Sequence, residues 1–308
     1  MHPEAKSKFR EYQGTPFLKG LIRAFRFASG ILPLWFMKTL AISIVPFFII
    51  FNLDNYKAVV ANFSRIRPAD GIIKRIFAGY KLFLNYSFYL IDLFYLGHDS
   101  KRIKNYRIEI DGENHLNKML SLGQGFILLT LHMGNWEIGG FLLSSKEVTP
   151  YIVYSPDSEK TVELHRKMLR ESFNVKAVSL DKEKLFSIKL LNILRDGGVI
   201  AFQGDRLFGE SGVEVEFFGK KALFPRGPLT LAMIADVPIL PVFCIIEGYN
   251  YYKLYIEKPY IINSYPSREE TIKKSLEDLV KIFEKYILQY AEQWYTFMPF
   301  WLSERKET

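Results

Sequence analysis

Short apolar runs alternate with polar turns and longer amphipathic stretches along most of the chain. Runs of strand length occur at residues 125–130, 151–154, 199–202, 237–246 and 252–256. Helical stretches follow at residues 161–172, 185–194, 228–235 and 269–290, and residues 217–228 are predicted as a loop. Because strands that alternate with helices build sheets covered on both faces, this order predicts an α/β fold.

The N-terminal part has a different pattern, with a long apolar segment at residues 31–51. Its length suits a membrane span of ~20 residues. Pro33, Lys38 and Pro46 interrupt it, and basic residues flank it on both sides, so a half-buried or re-entrant anchor is as well supported as a crossing. A buried core helix is the remaining alternative. No small-residue cleavage site follows, so a signal peptide is not expected.

A second helical stretch, residues 72–96, is rich in aromatic residues and apolar on most faces, which indicates either burial or contact with lipid. Residues 102–111 then alternate as a strand, and Gly112 ends it. The sequence therefore predicts an N-terminal helical, membrane-associated region at residues 1–96 and a catalytic domain at residues 97–308.

Candidate chemistry lies in residues 131–137, Leu-His-Met-Gly-Asn-Trp-Glu, between a strand and a helix. His132 and Glu137 cannot share one face of a regular helix, since five residues at ~100° each leave them about 140° apart. His132 is therefore placed in the turn, where Gly134 lets the backbone fold sharply. From the first helical turn, Glu137 is expected to hydrogen-bond one imidazole nitrogen and leave the other free. This spacing predicts a general base with its orienting partner.

Other interpretations of these residues remain open. A histidine at a strand end is often only a satisfied polar residue, and a glutamate early in a helix often serves only the helix dipole. A metal site is not expected, because the chain has five histidines and one cysteine and no second ligand stands at a suitable spacing near His132. Cys244 lies in an apolar strand and is predicted to be a small core residue, and a single cysteine excludes an internal disulfide.

Composition and charge narrow the class of partner. Hydrophobic residues make up 49% of the chain and aromatic residues 16%, which suits a surface that meets lipid headgroups. The net charge of +8 indicates an anionic partner. The basic residues are dispersed and no nucleic-acid-binding signature occurs, so nucleic acid is not expected. An anionic membrane or an acidic carrier protein fits the charge better.

Several motifs in a fixed order carry a family resemblance. They are the His132 and Glu137 box with Gly-Asn-Trp-Glu, Gly204-Asp205-Arg206, the Phe-Phe-Gly to Pro-Arg-Gly pattern at 217–227, Pro238 and Pro241, Gln293-Trp294, and Trp301. Together they resemble the bacterial lipid A biosynthesis acyltransferases, the lauroyl and myristoyl transferase family, within the lysophospholipid acyltransferase superfamily. Several motifs in order are far more specific than the box alone.

The resemblance implies a glycerol-phosphate-acyltransferase-like fold, with a mixed, largely parallel sheet flanked by helices. It implies a membrane-associated O-acyltransferase that moves a fatty acyl chain to a hydroxyl of a glycolipid or lipid A precursor. The donor is then an acyl thioester of acyl carrier protein or coenzyme A, a co-substrate rather than a cofactor, and no cofactor is expected. The expected location is the bacterial inner (cytoplasmic) membrane, with the catalytic domain on its cytoplasmic face.

The resemblance also implies substrate-binding residues, namely Asn135, Asp205, Arg206, Arg226 and Gly227. Asp205 is expected to position the acceptor or to hold Arg206, and Arg206 to bind an acceptor phosphate. Backbone N–H groups after His132, or the two arginines, are candidate donors to the oxyanion. Lipid A members commonly have Asp-Gln where this chain has Asp205-Arg206, a form that also resembles mycobacterial phosphatidylinositol mannoside acyltransferases.

The acceptor therefore stays open, and three alternatives to a lipid A enzyme remain. The first is a phosphatidylinositol-mannoside-type or lysophospholipid acyltransferase. The second is an acyltransferase-like lipid-binding protein without turnover, against which His132 and Glu137 argue. The third is a thioester hydrolase, for which no Gly-x-Ser-x-Gly nucleophile elbow is present.

Overall fold

The fold is organised around a central sheet. The computed structural model describes residues 16–144, 148–155, 160–180, 185–207 and 212–304. Its strands are β1 (Arg107–Asp111), β2 (Phe126–Thr130), β3 (Pro150–Tyr154), β4 (Lys176–Ser179), β5 (Val199–Gln203), β6 (Gly212–Phe217), β7 (Lys220–Pro225), β8 (Ile239–Ile246) and β9 (Tyr251–Ile256). Its α-helices are α1 (Pro16–Ile31), α2 (Leu34–Ile50), α3 (Leu53–Ile66), α4 (Ile72–His98), α5 (Glu113–Ser121), α6 (Trp136–Ser144), α7 (Lys160–Ser172), α8 (Phe186–Arg195), α9 (Gly227–Ala235) and α10 (Arg268–Gln289).

Seven of these strands form one sheet, in the order β1-β9-β8-β2-β5-β3-β4. The five strands from β8 to β4 run parallel to one another, whereas β9 is antiparallel to β8 and parallel to β1. Strands β6 and β7 form a separate antiparallel hairpin. The prediction of a mixed, largely parallel sheet flanked by helices is therefore confirmed.

The middle of the sheet places the candidate residues next to each other. The first four residues of β2 are apolar and buried, as expected for a central strand covered on both faces. β2 pairs in parallel with β5, and Thr130 lies opposite Gln203. The residues two positions further on, His132 and Asp205, therefore leave the sheet side by side. This is the carboxyl edge of the parallel strands, where open α/β sheets bind ligands.

The N-terminal helices share their apolar core with the sheet. Val45 of α2 and Phe63 of α3 lie in one buried cluster with Ile127 of β2. Most of the apolar segment predicted at 31–51 forms one helix, α2, and Pro33 separates it from α1, which ends at Ile31. No described helix is by itself long and apolar enough to cross a membrane. Together α2 and α3 have the length and apolar composition of a span, but the two helices are bent by 101° relative to each other.

Some local predictions are wrong. Residues 217–228 are not a loop, since most of them form β7 and its turn from β6, with Phe217 and Phe224 buried while Lys220 and Lys221 are exposed. The strand predicted from residue 102 begins only at Arg107, because a 3₁₀ helix occupies Ser100–Asn105. The sequence also gave no prediction for α5 and β4.

Candidate active site

The turn that follows β2 holds His132 at the edge of the sheet. Gly134 has φ +59°, and a Cβ atom there would lie 1.9 Å from the Cys244 carbonyl oxygen, so only glycine fits. The Gly134 amide donates to Gln293 O at 3.0 Å, and the Tyr295 amide donates to His132 O at 2.8 Å. The turn is therefore fixed on both sides, and the His132 side chain is 16% exposed.

Asp205 is the hydrogen-bond partner of the His132 ring. His132 Nδ1 lies 2.7 Å from Asp205 Oδ1, and the His132 amide donates to both carboxylate oxygens at 3.1 and 3.2 Å. Trp294 Nε1 donates to Asp205 Oδ2 at 2.9 Å. A carboxylate at Nδ1 favours the tautomer with its proton there, which leaves Nε2 unprotonated and free to act as a base.

The predicted hydrogen bond between Glu137 and His132 is wrong. Glu137 lies in the first turn of α6, as predicted, but its carboxylate accepts two hydrogen bonds from Arg170 of α7, at 2.6 and 3.1 Å. Arg166 Nε lies 3.8 Å from the same carboxylate. Both oxygens of Glu137 are therefore engaged by α7, and the buried ion pair joins α6 to α7.

Burial and the charges of the site keep the His132 imidazole neutral. Burial, and next the positive charge of Arg206, lower the pKa of His132 below its ordinary value, although Asp205 acts in the opposite direction. Burial disfavours the ionised form of Asp205, but the His132 ring, its hydrogen bond, Arg206 and the Trp294 N–H outweigh it and lower the pKa to about 2. At neutral pH the pair is an ionised carboxylate and a neutral imidazole.

The other predicted site residues do not all converge on His132. Asn135 is buried, and its Oδ1 accepts from the Ile138 amide at 3.2 Å, so it caps α6, while its predicted role in substrate binding stays a prediction. The oxygens of Asp205 accept hydrogen bonds from His132 and Trp294, and among the described contacts no hydrogen bond joins Asp205 to Arg206, whose charge acts on it only at longer range. The Arg206 side chain is exposed and donates to Tyr295 O at 2.6 Å, which keeps it beside the His132 turn.

Arg226 and Gly227 lie apart from this group. Arg226 is half-buried and immediately precedes α9, and Gly227 is exposed at the start of that helix. Within the described part of the chain, no contact connects either of them to His132. Their predicted role in substrate binding stays a prediction.

An apolar cavity lies between α6 and the sheet, next to the turn. Thr130, Trp136 and Gln203 line its end near the turn, and Ile152, Ala201 and Leu254 line it further in. The ring centroids of Trp136 and His132 are 5.5 Å apart. Arg170, paired with Glu137, supplies the charged side chain in the wall. The cavity can therefore receive an apolar chain whose polar end stays near His132.

The sequence assigned no role to two residues of the site, Arg170 and Trp294. No motif marks Arg170 as the partner of Glu137, and only the packing of α7 on α6 brings them together. Trp294 belongs to one of the motifs but had no predicted role, and in the structure its indole N–H donates a hydrogen bond to Asp205. No group of three or more His, Cys, Asp or Glu side chains suited to a metal ion occurs in the described ranges.

Comparison with known proteins relates the chain to lipid acyltransferases. Residues 76–303 match the family model of the bacterial lipid A biosynthesis acyltransferases. The chain is 28% identical over 206 residues to the phosphatidylinositol mannoside acyltransferase of Mycobacterium tuberculosis (strain CDC 1551 / Oshkosh), and 29% identical over 204 residues to that of Mycolicibacterium smegmatis (strain ATCC 700084 / mc(2)155).

These alignments cover 65% and 64% of this chain, but only 61% and 62% of the two mycobacterial proteins, so the chain spans about three fifths of the length of the curated relatives it matches. Among solved structures, the 1-acyl-sn-glycerophosphate acyltransferase PlsC of Thermotoga maritima aligns over 78% of this chain and 97% of its own, with a TM-score of 0.37 and 16% identity.

Proposed function

The chain belongs to the bacterial lipid A biosynthesis acyltransferase family, and from this premise we propose that it transfers a fatty acyl chain from an acyl thioester to a hydroxyl of a glycolipid or lipid A precursor. The single observation that carries the proposal is the 2.7 Å contact between His132 Nδ1 and Asp205 beside an apolar cavity. A thioester is already activated, so an oriented base suffices and no covalent nucleophile is required.

The proposed reaction starts with Nε2 of His132. It takes the proton of the acceptor hydroxyl while that oxygen attacks the thioester carbonyl carbon. The C–S bond then breaks, and the imidazolium returns the proton to the sulfur of the leaving thiolate. Asp205 stabilises the imidazolium between these steps. The first amides of α6, at Trp136 and Glu137, have no partner inside the helix and are the candidate donors to the oxyanion.

The acceptor is proposed to be an anionic glycolipid. The exposed Arg206 guanidinium donates to Tyr295 O, and a guanidinium has further N–H groups that suit an acceptor phosphate. The relatives named above are phosphatidylinositol mannoside acyltransferases, so an acceptor of that type is the alternative to a lipid A precursor. The donor is proposed to be the thioester of acyl carrier protein or of coenzyme A.

Association with the bacterial inner membrane, with the catalytic domain on the cytoplasmic face, is also a proposal. The N-terminal helices carry large apolar side chains that are exposed on the surface of the protein. Exposed examples are Trp35, Phe47 and Ile50 on α2 and Ile72, Ile73 and Phe77 on α4. The first turns of α4 also carry Lys74 and Arg75, which suit an anionic surface.

A thioester assay separates this function from its alternatives. Purified protein is incubated with acyl carrier protein or coenzyme A thioesters, with and without a glycolipid acceptor, and both free thiol and acylated lipid are measured. Acyl transfer predicts thiol release that depends on the acceptor and is lost in His132→Ala. Release without acceptor would indicate a hydrolase, and no release with any donor and acceptor pair would indicate a lipid-binding protein.

Arg206→Lys tests the acceptor site. Lysine keeps the charge but replaces a bidentate fork with a point ammonium, so the acceptor KM should rise more than the donor KM. Steady-state kinetics with each substrate varied in turn measures both. An unchanged acceptor KM would remove Arg206 from the acceptor site.

A further inference from the structure

A buried ion pair lies where the N-terminal helices meet the sheet. Lys38 of α2 is 2% exposed and Asp92 of α4 is 0% exposed. Lys38 Nζ lies 3.0 Å from each oxygen of Asp92 and donates to Tyr249 O at 2.5 Å. The remainder of α2 is almost entirely apolar, so this lysine is an exception in its helix.

Stability alone does not account for such a pair. Taking two charges out of water costs several kcal/mol per ion, and well-packed apolar residues of similar volume are often equally or more stabilising. The hydrogen-bond partners of Asp92 therefore indicate what else the ion pair does. Asp92 accepts a hydrogen bond from Tyr106 Oη at 2.7 Å and another from the hydroxyl of Tyr252 on β9.

The Tyr252 hydroxyl continues this network to the turn that carries His132. Asn135 Nδ2 lies 3.4 Å from Tyr252 Oη, and Asn135 Oδ1 accepts from the amide of Ile138. Asn135 also donates its own amide to Cys244 O at 2.8 Å. The network therefore ends at the first turn of α6, directly after His132.

The charge on Asp92 fixes the direction of every hydrogen bond along this path. An ionised carboxylate only accepts, so Tyr252 must donate its single proton to it. The Tyr252 oxygen can then only accept, and Asn135 must present its NH₂ group to it. The carbonyl oxygen of Asn135 consequently points to Ile138 and caps α6. If the carboxamide were reversed, the cap of the helix would be lost.

We propose that Lys38, Asp92 and Tyr252 are positioning residues for acyl transfer, which hold Asn135 and thereby the first amides of α6 beside the reacting carbonyl. This inference rests on the proposed function. It places the rate of the reaction partly under the control of α2, in the region proposed to meet the membrane. None of the three residues needs to touch a substrate for this role.

The first test uses Tyr252→Phe, which removes one hydroxyl and keeps the buried ring. We expect kcat to fall about 10-fold, with the donor KM within about 2-fold and a nearly unchanged melting temperature, because one cap and not the core is affected. Val45→Ala, a buried substitution on the same helix as Lys38, is the matched control. It should lower the melting temperature but leave kcat unchanged at a temperature where the variant is folded.

The second test separates positioning from stability. Lys38→Met leaves a buried carboxylate unpaired and should lower the melting temperature. The double variant Lys38→Met/Asp92→Asn removes both charges and should recover the melting temperature, but not kcat, because an amide at position 92 no longer dictates which way Tyr252 donates. Recovery of both would make the pair purely structural and overturn the inference.

A measurement without substrate keeps the inference separate from the proposed function. Amide hydrogen exchange of the segment 134–140 should be faster in Tyr252→Phe than in wild type and unaffected in Val45→Ala. If the wild type transfers no acyl group yet this difference appears, the proposed function fails and the positioning network stands. If neither exchange nor kcat responds to Tyr252→Phe, the network has no influence on the site.

Discussion

Asp205 and Glu137 are both buried carboxylates, but Asp205 contacts the His132 ring whereas Glu137 contacts Arg170 of α7. Asp205→Asn replaces the acceptor at Nδ1 of His132 with an amide, so kcat should fall about 10²- to 10⁴-fold with little loss of fold. Glu137→Gln, the matched neutralisation, leaves Arg170 with an uncompensated buried charge and should lower the unfolding free energy by ~3 kcal/mol.

Denaturant unfolding and steady-state kinetics of the two variants measure this contrast. The assignment would be reversed if Glu137→Gln were the slower enzyme per folded molecule while Asp205→Asn kept wild-type turnover. In that case Glu137 would act on the base by a route that the contacts do not provide.

The positive charge of Arg206 should set the acid side of the pH profile. Burial and Arg206 lower the pKa of His132, so kcat/KM should remain high to a pH below the ordinary histidine value and fall as His132 becomes protonated. Arg206→Met removes one of the three effects that lower this pKa, which are burial, the charge of Arg206 and the charge of Arg166. The acid limb of kcat/KM should therefore move to higher pH, whatever the change in its plateau.

A plot of kcat/KM against pH for both proteins gives the two limbs directly. Asp205 has a pKa of about 2 and stays ionised over the pH range in which His132 titrates, so it causes no second fall of kcat/KM in that range. An identical limb in wild type and Arg206→Met would mean that this charge is not felt at the imidazole.

The sequence located His132 and Asp205 but not their pairing. The two are 73 positions apart and become neighbours only through the register of β2 and β5, which no local pattern encodes. Glu137 and Arg170 illustrate the same difficulty, since their contact depends on how α7 packs on α6. The spacing of His132 and Glu137 predicted the turn and the helix correctly, but a side-chain direction is decided by tertiary neighbours.

At the scale of the structural elements, the turn after β2 is expected to tolerate substitution least. Gly134→Ala introduces a left-handed strain of ~1–2 kcal/mol and also a Cβ atom 1.9 Å from the Cys244 oxygen, so the turn must move and activity should be lost. Gly123→Ala is the matched control, because φ is +63° but nothing lies within 4 Å. It should show the strain alone and keep its turnover.

Melting temperature and acyl transfer of both glycine variants test this difference. Equal losses in the two would mean that the close approach to Cys244 is relieved without disturbing His132.

Elements with a long or continuous apolar run were predicted well, and short or mixed ones were not. The helix predicted at 72–96 is α4 with two more residues at its end, and the largely apolar β2 and β8 are central strands. The four-residue β4 is too short to show alternation, and in β7 the paired lysines and Pro225 disguise a strand that is decided by pairing with β6.

For the whole molecule, binding to lipid should combine apolar insertion and charge. Phe47 and Ile50 are exposed on one side of α2, and burying such side chains is worth ~1.5–3 kcal/mol each. The double variant Phe47→Ser/Ile50→Ser should therefore bind vesicles of anionic phospholipid at least 10-fold more weakly than wild type, with a similar melting temperature. Leu288→Ser, exposed on α10, is the matched control and should bind normally.

Sedimentation with vesicles at low and high salt measures both contributions. Salt should weaken binding only in part, since the apolar contribution is not screened. Complete release of the wild type by salt alone would place α2 outside the lipid and leave only a surface attraction.

The segment after α10 supplies the last contacts of the His132 turn. Gln293 accepts from the Gly134 amide, Trp294 holds Asp205, and Tyr295 donates to the His132 carbonyl. During translation, His132 and Asp205 leave the ribosome well before these three residues are made. In a nascent chain His132 therefore lacks the contacts that fix its turn, and the proposed site is complete only after these three residues have been made and have left the ribosome.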